Sequence, residues 1–308
     1  MNNLHNSIQN YFEYCEFQKR LDAKTLKAYR IDLRQFSEQC GCNEITDIFP
    51  ETLEAYIANL HHQYKPKTVK RKIATLKAFF HYLEYKELIE RNPFYKLQIR
   101  FREPVRLPKT IPLNTVELFL STIYQQRTHA KTSYQQKNAL RDAAVIELLF
   151  ATGMRISELC NLNTCDVNLS DGSILIYGKG SKERRVQICS HSVMHVLQEY
   201  KNCFHTGTES HKHFFINQNG KNMSDQTVRR MIQKYASLAA IELHITPHMF
   251  RHTFATCLLE ADVDIRYIQE MLGHSSINIT EIYTHVALAK QRDILTAKHP
   301  RKDFQFQN

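Results

Sequence analysis

Residues 246–285, TPHMFRHTFATCLLEADVDIRYIQEMLGHSSINITEIYTH, set His248, Arg251, His274 and Tyr283 in one ordered series. Thr246 is a good N-cap and Pro247 suits the first helical position, so a helix is predicted to start there. His248 and Arg251, three apart, share a face of its opening turns. A helix N-terminus with a cation one turn in is a natural seat for a phosphate. This helix should stop near Ala261 and Asp262, after which Asp264 caps a second one carrying Ile265, Ile268, Met271 and Leu272 at helical spacing. Gly273 ends the second helix, His274 follows at the turn, and Tyr283 lies nine positions further on. Taken singly, a histidine is a satisfied surface or core residue and a tyrosine is packing. Taken together, the series supplies a hydroxyl nucleophile, two imidazoles and a guanidinium.

Such residues need a scaffold, and 308 residues suffice for two ordinary domains with a core each. A hydrophobic content of 43% is that of a globular chain. No run approaches the ~18 apolar residues of a membrane span. The opening MNNLHNSIQNYFEY lacks a basic-then-apolar signal peptide, so a cytoplasmic location is expected. The eight cysteines are scattered without a C-x-x-C pair and read as free thiols, with no metal site expected. The net charge of +10, from 41 Lys and Arg against 31 Asp and Glu, favours a polyanionic partner. Charge alone does not choose between nucleic acid and an anionic membrane surface.

Residues 1–102 read as a helical domain. Leu4, Ile8, Tyr11 and Phe12 form one apolar stripe, and Asp22 opens a helix carrying Leu26, Tyr29, Leu33 and Phe36. A third helix begins near Pro50. A fourth, from Lys65 to Tyr85, turns Val69, Ile73, Leu76, Phe79, Phe80 and Leu83 inward. Its outer face is expected to carry Lys65, Lys67, Lys70, Arg71, Lys72 and Lys77, a concentration suited to phosphates along a duplex. Residues 103–112 read as an interdomain linker and 113–308 as a second domain ending in an amphipathic tail helix. A helix capped by Asn114 is expected to reach Tyr124. The polar segment 125–138 then reads as a disordered surface insertion, with a DNA-contacting loop as the other reading. Leu140 to Ala151 is a strong apolar helix ended by Gly153. The pattern from Ser173 to Cys189 is a β-hairpin whose turn holds Lys179 and Lys182. GKGSKERRV is no P-loop, since the Gly-Lys-Ser/Thr ending and the following helix are both missing.

The H-x-x-R series, L-G-H and the later tyrosine resemble the C-terminal signature of the tyrosine recombinases, or phage integrase family. ATGMRISEL resembles that family's first arginine motif, and KPKTVKRKIATLKAFFHYL its core-binding domain. The resemblance implies a mainly α fold with a small β-sheet, an N-terminal helical core-binding domain and a C-terminal α+β catalytic domain. It implies Tyr283 as nucleophile, forming a 3′-phosphotyrosyl bond, and Arg155, Arg251, His248 and His274 around the phosphate. It further implies Glu158 as the carboxylate supporting Arg155. Lys179 becomes the minor-groove lysine and general acid, with Lys182 as the fallback and DNA-contacting. Guanidinium forks grip non-bridging oxygens bidentately, which a lysine does less well. No cofactor, metal or ATP is expected.

LGHSS, IYTHV and the closing His299-Pro300-Arg301 look most like the Xer branch, which acts in dimer resolution. Phe250, Asp262 and the 125–138 insertion leave open a mobile-element or phage integrase. A type IB topoisomerase and a non-catalytic DNA-binding relative are the more distant readings. The expected partner is double-stranded DNA bearing a specific site. The protein is expected to be a monomer when free and a tetramer, homo- or hetero-, on DNA, with a second recombinase or a DNA translocase as further possible partners.

Overall fold

Apolar residues every three to four positions over the first 85 residues require helices that bury one stripe each, and four form. In this computed structural model, residues 3–99, 109–178, 183–205 and 211–273 are described. The chain divides into two compact units, Met1–Val105 and Arg106–Asn308. In the first, α1 (Leu4–Glu13) runs on through a π-turn at Tyr14–Gln18 and is followed by α2 (Ala23–Gln39), α3 (Pro50–Gln63) and α4 (Pro66–Tyr85). Asp22 caps α2 by accepting from the Thr25 amide, while Pro50 and Pro66 open the next two helices. Leu33, Phe36, Leu53, Val69, Phe79, Phe80 and Leu83 meet in the core, as their spacing requires.

The basic face of α4 differs from expectation at one residue. Lys65, Lys67, Lys70 and Lys77 are exposed, but Lys72 is buried, with 2% of its side chain exposed. Its ammonium donates to Asp32 at 3.1 Å and to Gln35, and lies 4.9 Å from the centre of the Tyr64 ring. Arg71 and the Thr75 hydroxyl take the other oxygen of the same carboxylate. Lys72 is therefore removed from the outer basic face. A buried carboxylate on α2 needs cations, and α4 supplies them.

The second unit builds α5 (Leu113–Thr128), α6 (Ser133–Thr152), α7 (Ile156–Cys160), strands β1 (Val167–Asn168), β2 (Ser173–Tyr177) and β3 (Glu183–Gln187), α8 (His191–Phe204), α9 (Asp225–Leu238), α10 (Pro247–Glu260) and α11 (Ile265–Leu272). The strands form one antiparallel sheet in the order β1-β2-β3, with Ile174 opposite Val186 and Ile176 opposite Arg184. Helix α6 is central to the core, with Ala143, Ala144, Val145, Ile146, Leu148 and Leu149 fully buried. Helix α11 packs on α10 through a separate small cluster of Ala255, Ile268 and Leu272.

The reading of 125–138 is corrected. Helix α5 continues to Thr128, and α6 already starts at Ser133. The Thr132 hydroxyl accepts from the Gln135 amide, and the Gln135 side chain accepts from the Lys131 amide. This T-x-x-Q arrangement starts a helix without any apolar stripe. The segment is on the surface, as expected, but it is helical. Helix α5 also begins two residues earlier than an Asn114 cap implies, with Pro112 at the cap position. Ile111, read as part of the linker, is 2% exposed and donates its amide to Thr253 of α10 at 2.8 Å. The rest of the linker through residue 108, and the tail helix, lie outside the described residues.

Asp32→Ala should destabilise the first unit by roughly 3–5 kcal/mol, because it leaves Lys72 as an uncompensated buried charge. Adding Lys72→Met should restore much of that loss. Urea unfolding measures both, and a cost below about 1 kcal/mol for Asp32→Ala would contradict the buried-network account.

Candidate active site

The site begins where α6 ends. Gly153 takes φ +58, a left-handed conformation that costs a glycine little. A Cβ there would stand 2.7 Å from the Phe254 ring and 2.9 Å from Leu272, so α10 and α11 close directly over this turn. Two residues later Arg155 occupies the N-cap of α7 with extended backbone. Its amide and its Nη1 both donate to Glu158, at 2.8 and 2.7 Å, so that one carboxylate at the third helical position holds main chain and side chain of the same arginine. Arg155 Nη2 lies 3.4 Å from the Gly273 carbonyl.

Arg251 arrives from α10. Thr246 holds the N-cap position and Pro247 the first turn, although the Thr246 hydroxyl makes no cap bond. Phe250 turns into the core, with its ring centre 5.8 Å from that of Phe119. The next residue, Arg251, is 5% exposed and donates to the Gly153 carbonyl at 2.8 Å and to the Leu272 carbonyl at 2.6 Å. His248, one turn earlier, is exposed. His252, which the motif reading passed over, is half-buried. Burial, with the His248 ring and the Arg251 guanidinium beside it, lowers its pKa and favours the neutral ring.

Helix α11 starts at Asp264, whose carboxylate accepts from the Arg266 amide, and ends at Gly273 with φ +63. Asp262, just before it, takes φ +67, a conformation that aspartate tolerates. The last carbonyls of a helix are unpaired and partially negative, so cations are stabilised there. The carbonyls of Met271, Leu272 and Gly273 each accept from a different arginine.

The third of these arginines was not singled out in the sequence. Arg184 of β3 donates to both oxygens of Glu158, at 3.1 and 2.7 Å, and through Nε to the Met271 carbonyl at 2.9 Å. A signal for it was present. Strand alternation puts Arg184 on the face of buried Val186, and an inward arginine requires a carboxylate. Burial acts to raise the Glu158 pKa, but hydrogen bonds and charge from Arg184 and Arg155 outweigh it and hold the carboxyl below its usual range. The structure thus brings Arg155, Glu158 and Arg251 together. Lys179, Lys182, His274 and Tyr283 lie outside the described residues. Among the described residues no group of His, Cys, Asp or Glu is arranged to hold a metal ion, and no helix is long and apolar enough to cross a membrane.

The phage integrase family profile matches residues 121–290, more than half of the chain, and the phage integrase N-terminal SAM-like domain matches residues 8–87. The chain belongs to the phage integrase family of tyrosine recombinases. That family is one of DNA strand-exchanging enzymes. A tyrosine recombinase of Agathobacter rectalis is 68% identical over 99% of this chain and 100% of its own length. The tyrosine recombinase XerD of Halalkalibacterium halodurans is 33% identical over 98% and 100%. Among solved structures, the XerH site-specific recombinase bound to a palindromic difH substrate shares the fold with a TM-score of 0.72. It is 24% identical and aligns over 92% of this chain and 83% of its own. The mainly helical fold with its small sheet, read from the sequence, is that of this recombinase family.

A lowered carboxylate pKa contributes stability that is present above the ordinary carboxylate range and is lost as pH falls through the folded value. Glu158→Gln should therefore destabilise the recombinase by on the order of 3 kcal/mol near neutral pH. The gap to the unaltered chain should narrow as pH drops toward about 3. Denaturant titrations across that range measure it, and a gap that does not change with pH would show that the charge of Glu158 is not what holds the cluster.

Proposed function

We propose that the chain is a site-specific DNA recombinase of the Xer type, cutting and rejoining strands through a 3′-phosphotyrosyl bond to Tyr283. One observation carries the reading. Arg155 and Arg251, 96 positions apart in sequence, are held on adjacent carbonyls at the end of α11, immediately before His274. Two guanidinium groups fixed side by side at the start of the nucleophile-bearing segment suit the two non-bridging oxygens of one phosphate. In this mechanism Tyr283 attacks phosphorus while His248 takes its proton. Arg155, Arg251 and His274 stabilise the charge that develops on the phosphoryl oxygens, and Lys179 protonates the departing 5′-oxygen. Glu158 holds Arg155 in place. The covalent intermediate retains the bond energy, so religation needs no nucleotide.

The exposed Lys65, Lys67 and Lys70 of α4, with the half-exposed Arg71, are assigned to the duplex backbone, where each ion pair with a phosphate releases counterions. Similarity to XerD over the whole chain favours the Xer branch. The features that had suggested a mobile-element integrase each have a local physical cause: Phe250 fills the core beside Phe119, Asp262 makes a left-handed turn, and 125–138 is helical. Strand exchange between two sites, as opposed to relaxation of supercoils alone, separates a recombinase from a type IB topoisomerase.

Tyr283→Phe should abolish SDS-resistant attachment to DNA while leaving duplex binding nearly unchanged. An adduct formed by that variant would refute the nucleophile. Arg155→Ala and Arg251→Ala should each slow cleavage by on the order of 10²–10³-fold, the scale for one lost oxyanion donor. A substrate with sulfur at the bridging 5′ position has a leaving group that needs no proton. It should restore cleavage by Lys179→Ala and not by Arg155→Ala, whereas rescue of Lys182→Ala alone would exchange the two lysines' roles.

A further inference from the structure

Glu158 accepts four hydrogen bonds, two to each oxygen. Oε1 takes Arg155 Nη1 at 2.7 Å and Arg184 Nη1 at 3.1 Å. Oε2 takes the Arg155 amide at 2.8 Å and Arg184 Nη2 at 2.7 Å. A carboxylate filled in this way cannot turn without breaking its pair with Arg184. Arg155 donates to that carboxylate through Nη1, so the orientation of its fork depends on where Glu158 stands.

The same Arg184 side chain, 8% exposed, also reaches the end of α11 through Nε. Gly273 lies against it, since a Cβ on that glycine would stand 3.1 Å from both Arg184 Cδ and Nη1. Helix α11 is short, and among the described residues its apolar attachment to α10 buries only Ala255, Ile268 and Leu272 fully, with partly buried neighbours around them. Polar anchors therefore have a large share in placing its last turn. Arg184 itself is paired with Ile176 in the β2–β3 ladder, two residues beyond the turn that holds Lys179 and Lys182. One planar group thus spans three elements that the proposed chemistry needs in register: the hairpin, the Arg155 turn and the end of α11.

We propose that Arg184 is a positioning residue for strand cleavage: by holding both oxygens of Glu158 and the Met271 carbonyl at once, it sets the Arg155 guanidinium against the phosphate and ties the β2–β3 hairpin to the end of α11. This role rests on the recombinase reading above. Lysine is a poor replacement, because one ammonium on a flexible stem lacks the planar fork that meets both carboxylate oxygens. Arg184→Gln and Arg184→Lys should both bind duplex DNA as the unaltered chain does and cleave it more slowly, by on the order of 10–100-fold, the scale for losing a partner that orients a working group. In a Glu158→Gln background, Arg184→Gln should add less than about 3-fold, since residues acting as a unit are non-additive.

The deciding measurement compares two substrates within one preparation. Site DNA is first obtained by sequencing fragments trapped covalently on the unaltered protein. Cleavage is then timed on that duplex and on the same duplex with a methylphosphonate at the scissile position. The methylphosphonate lacks the negative charge that Arg155 meets. If Arg184 acts through Arg155, the defects of Arg184→Gln and Arg155→Ala should both shrink several-fold on the neutral substrate. A fraction of unfolded protein would lower both rates equally, so an equal loss on the two substrates overturns the proposal, as does normal cleavage of the natural duplex by Arg184→Gln. If the unaltered protein traps no DNA, the recombinase reading itself fails. If it traps DNA and only the Arg184 ratios are flat, the recombinase reading stands and the positioning role alone is wrong.

Discussion

The end of α11 is a row of backbone carbonyls with no helical partner, and the arrangement of the candidate site depends on how they are satisfied. A helix C-terminus carries partial negative charge, and each cation placed there contributes roughly 0.3–1 kcal/mol when exposed and up to about 2 when partly buried. Here three arginines from three different elements supply the donors, on Met271, Leu272 and Gly273. The consequence is geometric as much as energetic. Arg155 from the α6–α7 turn, Arg184 from β3 and Arg251 from α10 converge on the end of α11, which offers a carbonyl acceptor to each. Gly153 and Gly273 are required for the same reason. Each makes a left-handed turn, and at each a Cβ would press on the groups that gather there.

A cluster of guanidinium groups would repel itself without a counter-charge, and Glu158 is the carboxylate that two of the three share. Burying that carboxylate would be unfavourable alone, but four hydrogen bonds keep it ionised. The balance leaves the cluster rich in positive charge. In the proposed reaction that excess would meet an anion with several oxygens, a phosphate. The first unit handles its charges by the opposite rule. Asp32 is sequestered and takes Lys72 with it, while Lys65, Lys67 and Lys70 on the neighbouring turns remain in solvent. Two residues of one run of cations, Lys67 and Lys72, thus do different things: one stays exposed and the other locks α4 to α2.

What the sequence determined by itself is local. Helix starts at Asp22, Pro50, Pro66 and Asp264, the left-handed stop at Gly153 and the apolar stripes all depend on residues within a turn or two, where spacing is sufficient information. The T-x-x-Q start of α6 was equally legible, and was obscured only because its first turns are polar all round. The motif residues Arg155, Glu158, His248 and Arg251 could be picked out because their order along the chain is distinctive. What only the tertiary structure decided is which charges face one another. The partner of Lys72 lies 40 positions away on α2, and that of Arg184 lies 26 away on α7. A basic residue in a sequence carries no mark of whether its ammonium or guanidinium will meet water, a ligand or a buried carboxylate. That depends on which helix or strand packs against it, and so on the whole fold.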